Sequence, residues 1–284
     1  MSSTTSPRWL ILPPAADQAL WYAAIDSQAK ARGLSLTIGN APKGADLVLT
    51  PDIEAALNHG AKPHDMAVLI SQAGLLSEEL AGLEPNTQRH NPVMVGSSQT
   101  LSAYQLPADR RFLAQEIARG PVGLFDDFSL HLPEAKPDQI AHRNRALAQA
   151  MTLYSEDRVI WPIDILDIYA RILDRSAGSI SLDATGKPRF IAHGPYLTMP
   201  AGTYSAALEI EFNEPLCDKT FSVHWGGVSE FSQMDFKPDK AGAYRVELDW
   251  TWTEPAPAEF RLIAREGIFD GVIKLSDIEI SRIG

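Results

Sequence analysis

The sequence predicts two different folds in one chain: an open, mostly parallel α/β domain over residues 8–130, and an antiparallel β-sandwich of jelly-roll type over residues 179–284. A helical connector is expected between them, over residues 131–178. Three observations carry this reading. Short apolar runs alternate with helically spaced segments in the first half, the period changes to two after Ser179, and 284 residues suit two domains of ordinary size.

In the first half, "RWLILPP" is a short strand ended by prolines, and "ADQALWYAAIDSQAKARG" follows with helical spacing and a terminal Gly33. "LSLTIGN", "ADLVLTPDIEAALNHG", "MAVLISQAGLLSEELAGL" and "VMVGSSQT" repeat the theme, and "GPVGLFDDF" follows the helical "PADRRFLAQEIARG" as a last apolar segment. Short apolar strands separated by helices call for a sheet covered on both faces.

"KPDQIAHRNRALAQAMTLYSED" reads as a helix with Pro137 near its start. "WPIDILDIYARILDRSAG" reads as a second, amphipathic helix, with Trp161 at its start, Pro162 in its first turn, Ile165, Ile168, Tyr169 and Ile172 on one side and Gly178 as its stop. Asp164 and Asp167 would then favour its N-terminus.

Beyond Ser179, "TYSAALEIEF" sets Tyr204, Ala206, Leu208, Ile210 and Phe212 on one face, "FSVHW" sets Phe221, Val223 and Trp225, and "YRVELDWTW" sets Tyr244, Val246, Leu248, Trp250 and Trp252. The opposite faces are polar. With "FRLIAREG", "VIKLSDIEISRI" and the turns "PAG", "KPDKAG" and "REGIFDG", this is the pattern of a sandwich.

Residues Ile191 to Phe212, with "GPY" ahead of "MPAGTY" and an alternating strand, resemble the compact β-sandwich modules appended to bacterial polysaccharide-biosynthesis proteins, including glycosyltransferases. The closing "SDIEISRI" is similar too. The resemblance covers the last third of the chain and implies a carbohydrate-binding-like fold in a surface-glycan pathway, with an oligosaccharide or polysaccharide as ligand and a glycosyltransferase as partner.

A net charge of -11, from 25 basic and 36 acidic side chains, repels nucleic-acid phosphates and anionic membranes alike, so neither is expected as a partner. Cys217, the single cysteine, excludes an intrachain disulfide and multi-cysteine metal sites and fits a reducing compartment. The apolar run Trp9 to Leu12 is too short for a signal-peptide core, and a cytoplasmic location is expected. The seven histidines show no metal-ligand spacing, and with no G-x-G-x-x-G, Walker loop or G-x-S-x-G elbow, no cofactor or metal is expected.

Ligands of open parallel sheets bind beyond the carboxyl ends of the strands. There the sequence offers Thr50 and Asp52, Ser71 and Gln72, Ser97 and Ser98, and the pair Asp126 and Asp127, all suited to hydroxyls, phosphates or a cation, though such residues also end strands and cap helices. In the sandwich, sugars call for an aromatic ring and surrounding polar groups. His193 and Tyr196, in an irregular segment around Gly194-Pro195, His224, and Trp252 at a strand end are the candidates, while Trp225 and Trp250 continue apolar faces. Glu247, Asp249, Arg261 and Arg265 fall on polar faces and would line a shallow groove. The readings are an accessory protein binding glycan or a partner enzyme, a sugar-modifying or glycosyl-transferring enzyme using Ser97, Ser98, Asp126 and Asp127, and a protein-interaction scaffold.

Overall fold

A strand covered on both faces must be apolar at every position, and the first unit is built on such strands. The computed structural model describes residues 6–15, 17–42, 44–71, 92–132 and 142–284, in two compact units, Met1–Ala148 and Gln149–Gly284. In the first, β1 (Arg8–Ile11), β2 (Leu36–Ile38), β3 (Leu47–Thr50), β4 (Met66–Ile70) and β5 (Arg111–Leu113) form a parallel sheet in the order β2-β3-β1-β4-β5. Alternate residues serve opposite faces. Leu10, Leu47, Leu49 and Leu69 meet Trp21, Ile25 and Ala29 of α1 (Gln18–Ala31), while Trp9, Ile11, Val48 and Val68 pack with Ile53 and Ala56 of α2 (Ile53–Asn58).

Three local expectations change here. "VMVGSSQT" lies in a helix, α3 (Pro92–Ala103), because Pro92 opens it and Val93, Ser97, Thr100 and Leu101 recur at helical spacing on a buried side. The helix predicted from Pro107 is reduced to a 3-10 turn, Ala108–Arg110, and α4 (Ala114–Arg119), with β5 between them. The "GPVGLFDDF" segment is the start of an antiparallel hairpin, β6 (Val122–Phe125) and β7 (Phe128–Leu130), whose Leu124, Phe128 and Leu130 close the α1 side of the core. The expectations for Gln72 and Pro137 fall outside the described residues.

The boundary between the units falls near the end of α5 (His142–Ala150), and in the second unit the 3-10 turn Met151–Tyr154 precedes twelve strands. They are β8 (Arg158–Trp161), β9 (Asp167–Ile168), β10 (Arg171–Ser176), β11 (Ser179–Asp183), β12 (Arg189–Met199), β13 (Gly202–Phe212), β14 (Phe221–Gly226), β15 (Phe231–Phe236), β16 (Gly242–Trp252), β17 (Ala256–Ala264), β18 (Val272–Ser276) and β19 (Ile278–Arg282). One antiparallel sheet runs β10-β11-β18-β13-β19-β8, with β16 along the other edge of β13, and the second runs β15-β14-β17-β12-β9.

The two sheets pack face to face through the residues that alternation selects. Tyr204, Ala206, Leu208, Ile210 and Phe212 of β13 are buried, as are Phe221, Val223 and Trp225 of β14. Trp225 donates its Nε1 hydrogen to the carbonyl of Tyr204 at 3.2 Å and meets Trp252 edge-on at 5.3 Å and Trp161 at 5.6 Å. Trp252 therefore belongs to the core, at 4% exposure, and not to the surface. It shares the parity of Val246 and Leu248, and β16 stays paired as far as Trp252 opposite Gly202, so the inward face does not end before it. Trp250 of the same strand is half-buried.

The second predicted helix, from Trp161 to Gly178, is instead β8, a 3-10 turn, β9 and β10. Pro162 follows a strand rather than opening a helix. Spacing alone imitates helical periodicity here, whereas long-range partners decide: Trp161 pairs with Ile278, Asp167 with His193 and Arg171 with Asp183. Isoleucine-rich segments with such partners gain more as strands.

Candidate binding face of the second sheet

Residues of equal parity on neighbouring strands share a face. On the face of the second sheet turned away from the core, one rung reads Gln233, His224, Arg261, His193 and Asp167 across its five strands. The next rung holds Asp235, Ser222, Ile263 and Phe190, and on the other side lie Phe231, Gly226, Glu259 and Pro195. This is a polar field with aromatic borders.

A bulge aims Tyr196 into it. The β12–β17 register shifts between Pro195 and Thr198, and Tyr196 takes a left-handed backbone, φ 68°, next to Gly194 at φ 104°. That conformation is strained for a residue with a side chain and persists only where surroundings enforce it. Here the Tyr196 hydroxyl donates to Glu259 Oε1 at 3.1 Å and lies 3.1 Å from His193 Nδ1. With its one hydrogen spent on Glu259, the hydroxyl can only accept from Nδ1, and Nε2 lies 3.0 Å from the Tyr169 hydroxyl. Burial foremost, then the Glu259 charge, pushes the Tyr196 hydroxyl well above its ordinary pKa.

Glu259 and Arg261 are paired at 2.5 Å although nearly buried, at 5% and 9% exposure. Arg261 also donates to the Val228 carbonyl at 2.6 Å and stands over the Phe231 ring, 4.7 Å from its centre. A buried pair needs such additional partners to offset desolvation. His224 stacks on Phe231 at 4.4 Å and contacts Ser222 Oγ through Nε2 at 3.0 Å. Burial first, then Arg261 and Arg265, holds its pKa below the usual histidine value. It is neutral at neutral pH.

The aromatic border is open to solvent. Tyr169 stacks on His193 at 5.0 Å with 59% of its surface exposed, and Phe190 meets the same imidazole edge-on at 5.5 Å with 43% exposed. Together with Pro188, Arg189, Ile263 and Arg265 they line a cleft of about 600 Å³. Its size is that of a small-ligand site.

Three of the four sandwich candidates converge on this face: His193, Tyr196 and His224. Trp252 does not, being in the core, and Tyr196 sits within β12 rather than in an irregular segment. Arg261 and Arg265 join them, whereas Glu247 and Asp249 lie on β16 of the other sheet. Tyr169, Arg189, Phe190 and Glu259 were missed by reading the sequence. For Arg189, Phe190 and Glu259 the signal was the register of β12 against β17, and for Tyr169 the pairing of β9 with β12, both of which only strand pairing supplies.

The α/β candidates do not come together. Asp52 follows β3 and caps α2, its carboxylate accepting from Glu54 N at 2.9 Å. Ser97 and Ser98 lie within α3, with Ser97 buried and bonded to the Met94 carbonyl at 3.1 Å. Asp126 and Asp127 form the turn of the β6–β7 hairpin, and Asp127 is ion-paired to Arg8 at the amino end of β1. Because Ile11 and Thr50 mark the carboxyl ends of β1 and β3, Asp127 and Asp52 stand at opposite ends of the sheet.

No protein-family model matches the chain, and no curated protein sequence matches it significantly. Among solved structures it is similar to a native family 35 carbohydrate-binding module from Clostridium thermocellum, at 14% identity and TM-score 0.32 over 45% of this chain and 100% of that one. It is similar also to BiXyn10A CBM1, at 11% identity and TM-score 0.30 over 40% of this chain and 81% of that one. A third likeness is to the K1 cleaved adhesin domain of Lys-gingipain from Porphyromonas gingivalis, at 9% identity and TM-score 0.28 over 37% of this chain and 75% of that one. At this level the likenesses assign no role to any residue of this chain.

Proposed function

We propose that the outer face of the second sheet is a carbohydrate-binding surface, with the ring of a sugar seated on Tyr169 and Phe190 and its hydroxyls served by the neighbouring polar side chains. One observation carries this reading: two solvent-exposed aromatic rings border an open cleft and are held by His193, itself part of a continuous row of hydrogen-bonding groups. Sugars present an apolar ring face and a polar circumference, and this arrangement supplies both complements. The buried Glu259 and Arg261 and the half-buried Tyr196 hold His193 and the bulge in place rather than meeting the ligand.

The setting proposed for this activity is bacterial surface-polysaccharide biosynthesis in the cytoplasm, with a glycosyltransferase as protein partner and the sandwich as a jelly-roll module. That part rests on the resemblance of Ile191 to Phe212 and of the closing strand, and co-purification with a transferase of the same pathway tests it.

The binding itself is tested by passing the full chain over an array of oligosaccharides and repeating with Tyr169→Ala and Phe190→Ala. Each substitution is expected to weaken retention by about fivefold or more, in line with loss of about 1 kcal/mol or more of ring contact. Retention of no glycan, or retention indifferent to both substitutions, overturns the proposal.

A further inference from the structure

Within the cleft, the charged groups are of one sign. Arg189 and Arg265 line it, with Tyr169, Pro188, Phe190, Ile263 and Ala264, and no carboxylate stands among them. This is unexpected in a chain carrying 36 acidic against 25 basic residues.

Neither guanidinium is fully engaged within the fold. Arg189 donates to the carbonyl oxygens of Lys187 at 3.4 Å and Asp183 at 3.5 Å, both long for charge-assisted bonds. Behind the hydrogen bonds from Thr185, its charge also helps hold the Asp183 carboxyl below its ordinary pKa, without a direct ion pair between them. Arg265 donates to Ser222 Oγ at 3.2 Å and stands 3.8 Å from Asp235, while Asp235 accepts a short bond from Ser222 at 2.5 Å. A guanidinium presents five donors in a planar fork, so both retain hydrogens suited to a pair of coplanar anionic oxygens.

From this we infer that the cleft selects a sugar bearing an anionic group, a uronate carboxylate or a sulfate ester, whose ring rests on Tyr169 and Phe190 while Arg189 and Arg265 take the anion. The inference rests on the carbohydrate reading above and names the class of ligand. The two guanidiniums set the selectivity and the two rings supply sequence-tolerant contact area.

Calorimetry on the full chain tests it with three polymers: an oligogalacturonate, the same oligomer with its carboxyls reduced to alcohols, and dextran sulfate. The acid form is expected to bind about tenfold or more tightly than the reduced form, with the difference falling as sodium chloride is raised. Arg189→Met and Arg265→Met are each expected to abolish most of that preference while leaving residual binding of the reduced oligomer, and unchanged melting curves exclude misfolding. Arginine-dependent binding of dextran sulfate without binding of the uronate assigns the anion as sulfate and supports the inference. Equal affinity for acid and reduced forms overturns it and leaves the carbohydrate reading standing, as does a preference that survives both arginine substitutions. Failure to bind any of the three, or any neutral glycan, overturns both.

Discussion

The hydroxyl of Tyr196 lies 3.1 Å from Nδ1 of His193, three residues earlier on the same strand, and the bulge between them is what makes the contact possible. Without that extra residue, strand parity would put residues 193 and 196 on opposite faces. Tyr196→Phe keeps the ring and removes the hydroxyl, leaving Nδ1 with only the more distant Glu259 carboxylate, at 3.5 Å, and Glu259 short of one donor. A loss of about 1–3 kcal/mol in urea unfolding is expected, and an unchanged midpoint would show that the hydroxyl does not hold the bulge.

Gly226 is a second position where the backbone decides. It has φ 153°, and a Cβ there would stand 2.6 Å from Phe231 Cα and 2.9 Å from the Glu230 carbonyl. Gly226→Ala must push away the loop whose Val228 carbonyl accepts from Arg261. Lower thermal stability together with weaker glycan retention is the expected pair of outcomes, and stability lost without any effect on retention would separate the loop from the binding face.

His224 gives the face a pH dependence of known sign. Its folded pKa is depressed from 6.5, by burial first and then by Arg261 and Arg265, while Asp235 and Glu259 act in the opposite sense. The unfolded chain therefore takes up a proton that the fold resists, and stability is full above pH 6.5 and declines as pH falls below it. His224→Gln is expected to flatten that decline between neutrality and the range where carboxylates begin to protonate. Chemical unfolding at a series of pH values measures it, and parallel curves for the two proteins would contradict the assignment.

Trp252 fills the centre of the sandwich against Trp225 and Tyr204. Trp252→Ala is expected to cost about 3–5 kcal/mol as lost burial and a residual cavity. Tryptophan emission on denaturation reports it, and a loss under about 1 kcal/mol would place Trp252 nearer the surface.

Asp52 is a cap and not a ligand in this structure. Asp52→Ala is expected to cost about 1 kcal/mol and to speed amide exchange in α2, with glycan retention unchanged. Altered glycan binding would be the surprising result.

How much of this was legible depended on whether a residue's environment is set by its neighbours in sequence or by distant partners. Tyr204 to Phe212 read correctly because strict alternation leaves one register that buries the apolar set. That His193, Tyr196 and His224 share one face follows from the same alternation and from the interruption at Gly194-Pro195. Tyr169 was misread because Ile165, Ile168 and Ile172 happen to follow helical spacing, and only pairing of Asp167 with His193 and Arg171 with Asp183 makes the segment extended. Ser97 and Ser98 failed in the converse way: a short apolar run reads as a strand, but Pro92 and the buried Val93, Thr100 and Leu101 make it a helix. Phe190 and Glu259 had no local signal, since their neighbourhood exists only after β12 and β17 pair.

The outermost strand β10 is exposed along its whole length, yet its pairing with β11 slips between Ile172 and Asp174, and Arg171, Asp174 and Arg175 flank its two apolar residues. An intruding strand needs an even row of donors and acceptors and tolerates charge poorly. The irregularity therefore works as a stop against fibrillar growth, letting the sandwich carry an open margin at high protein concentration without templating the addition of further chains.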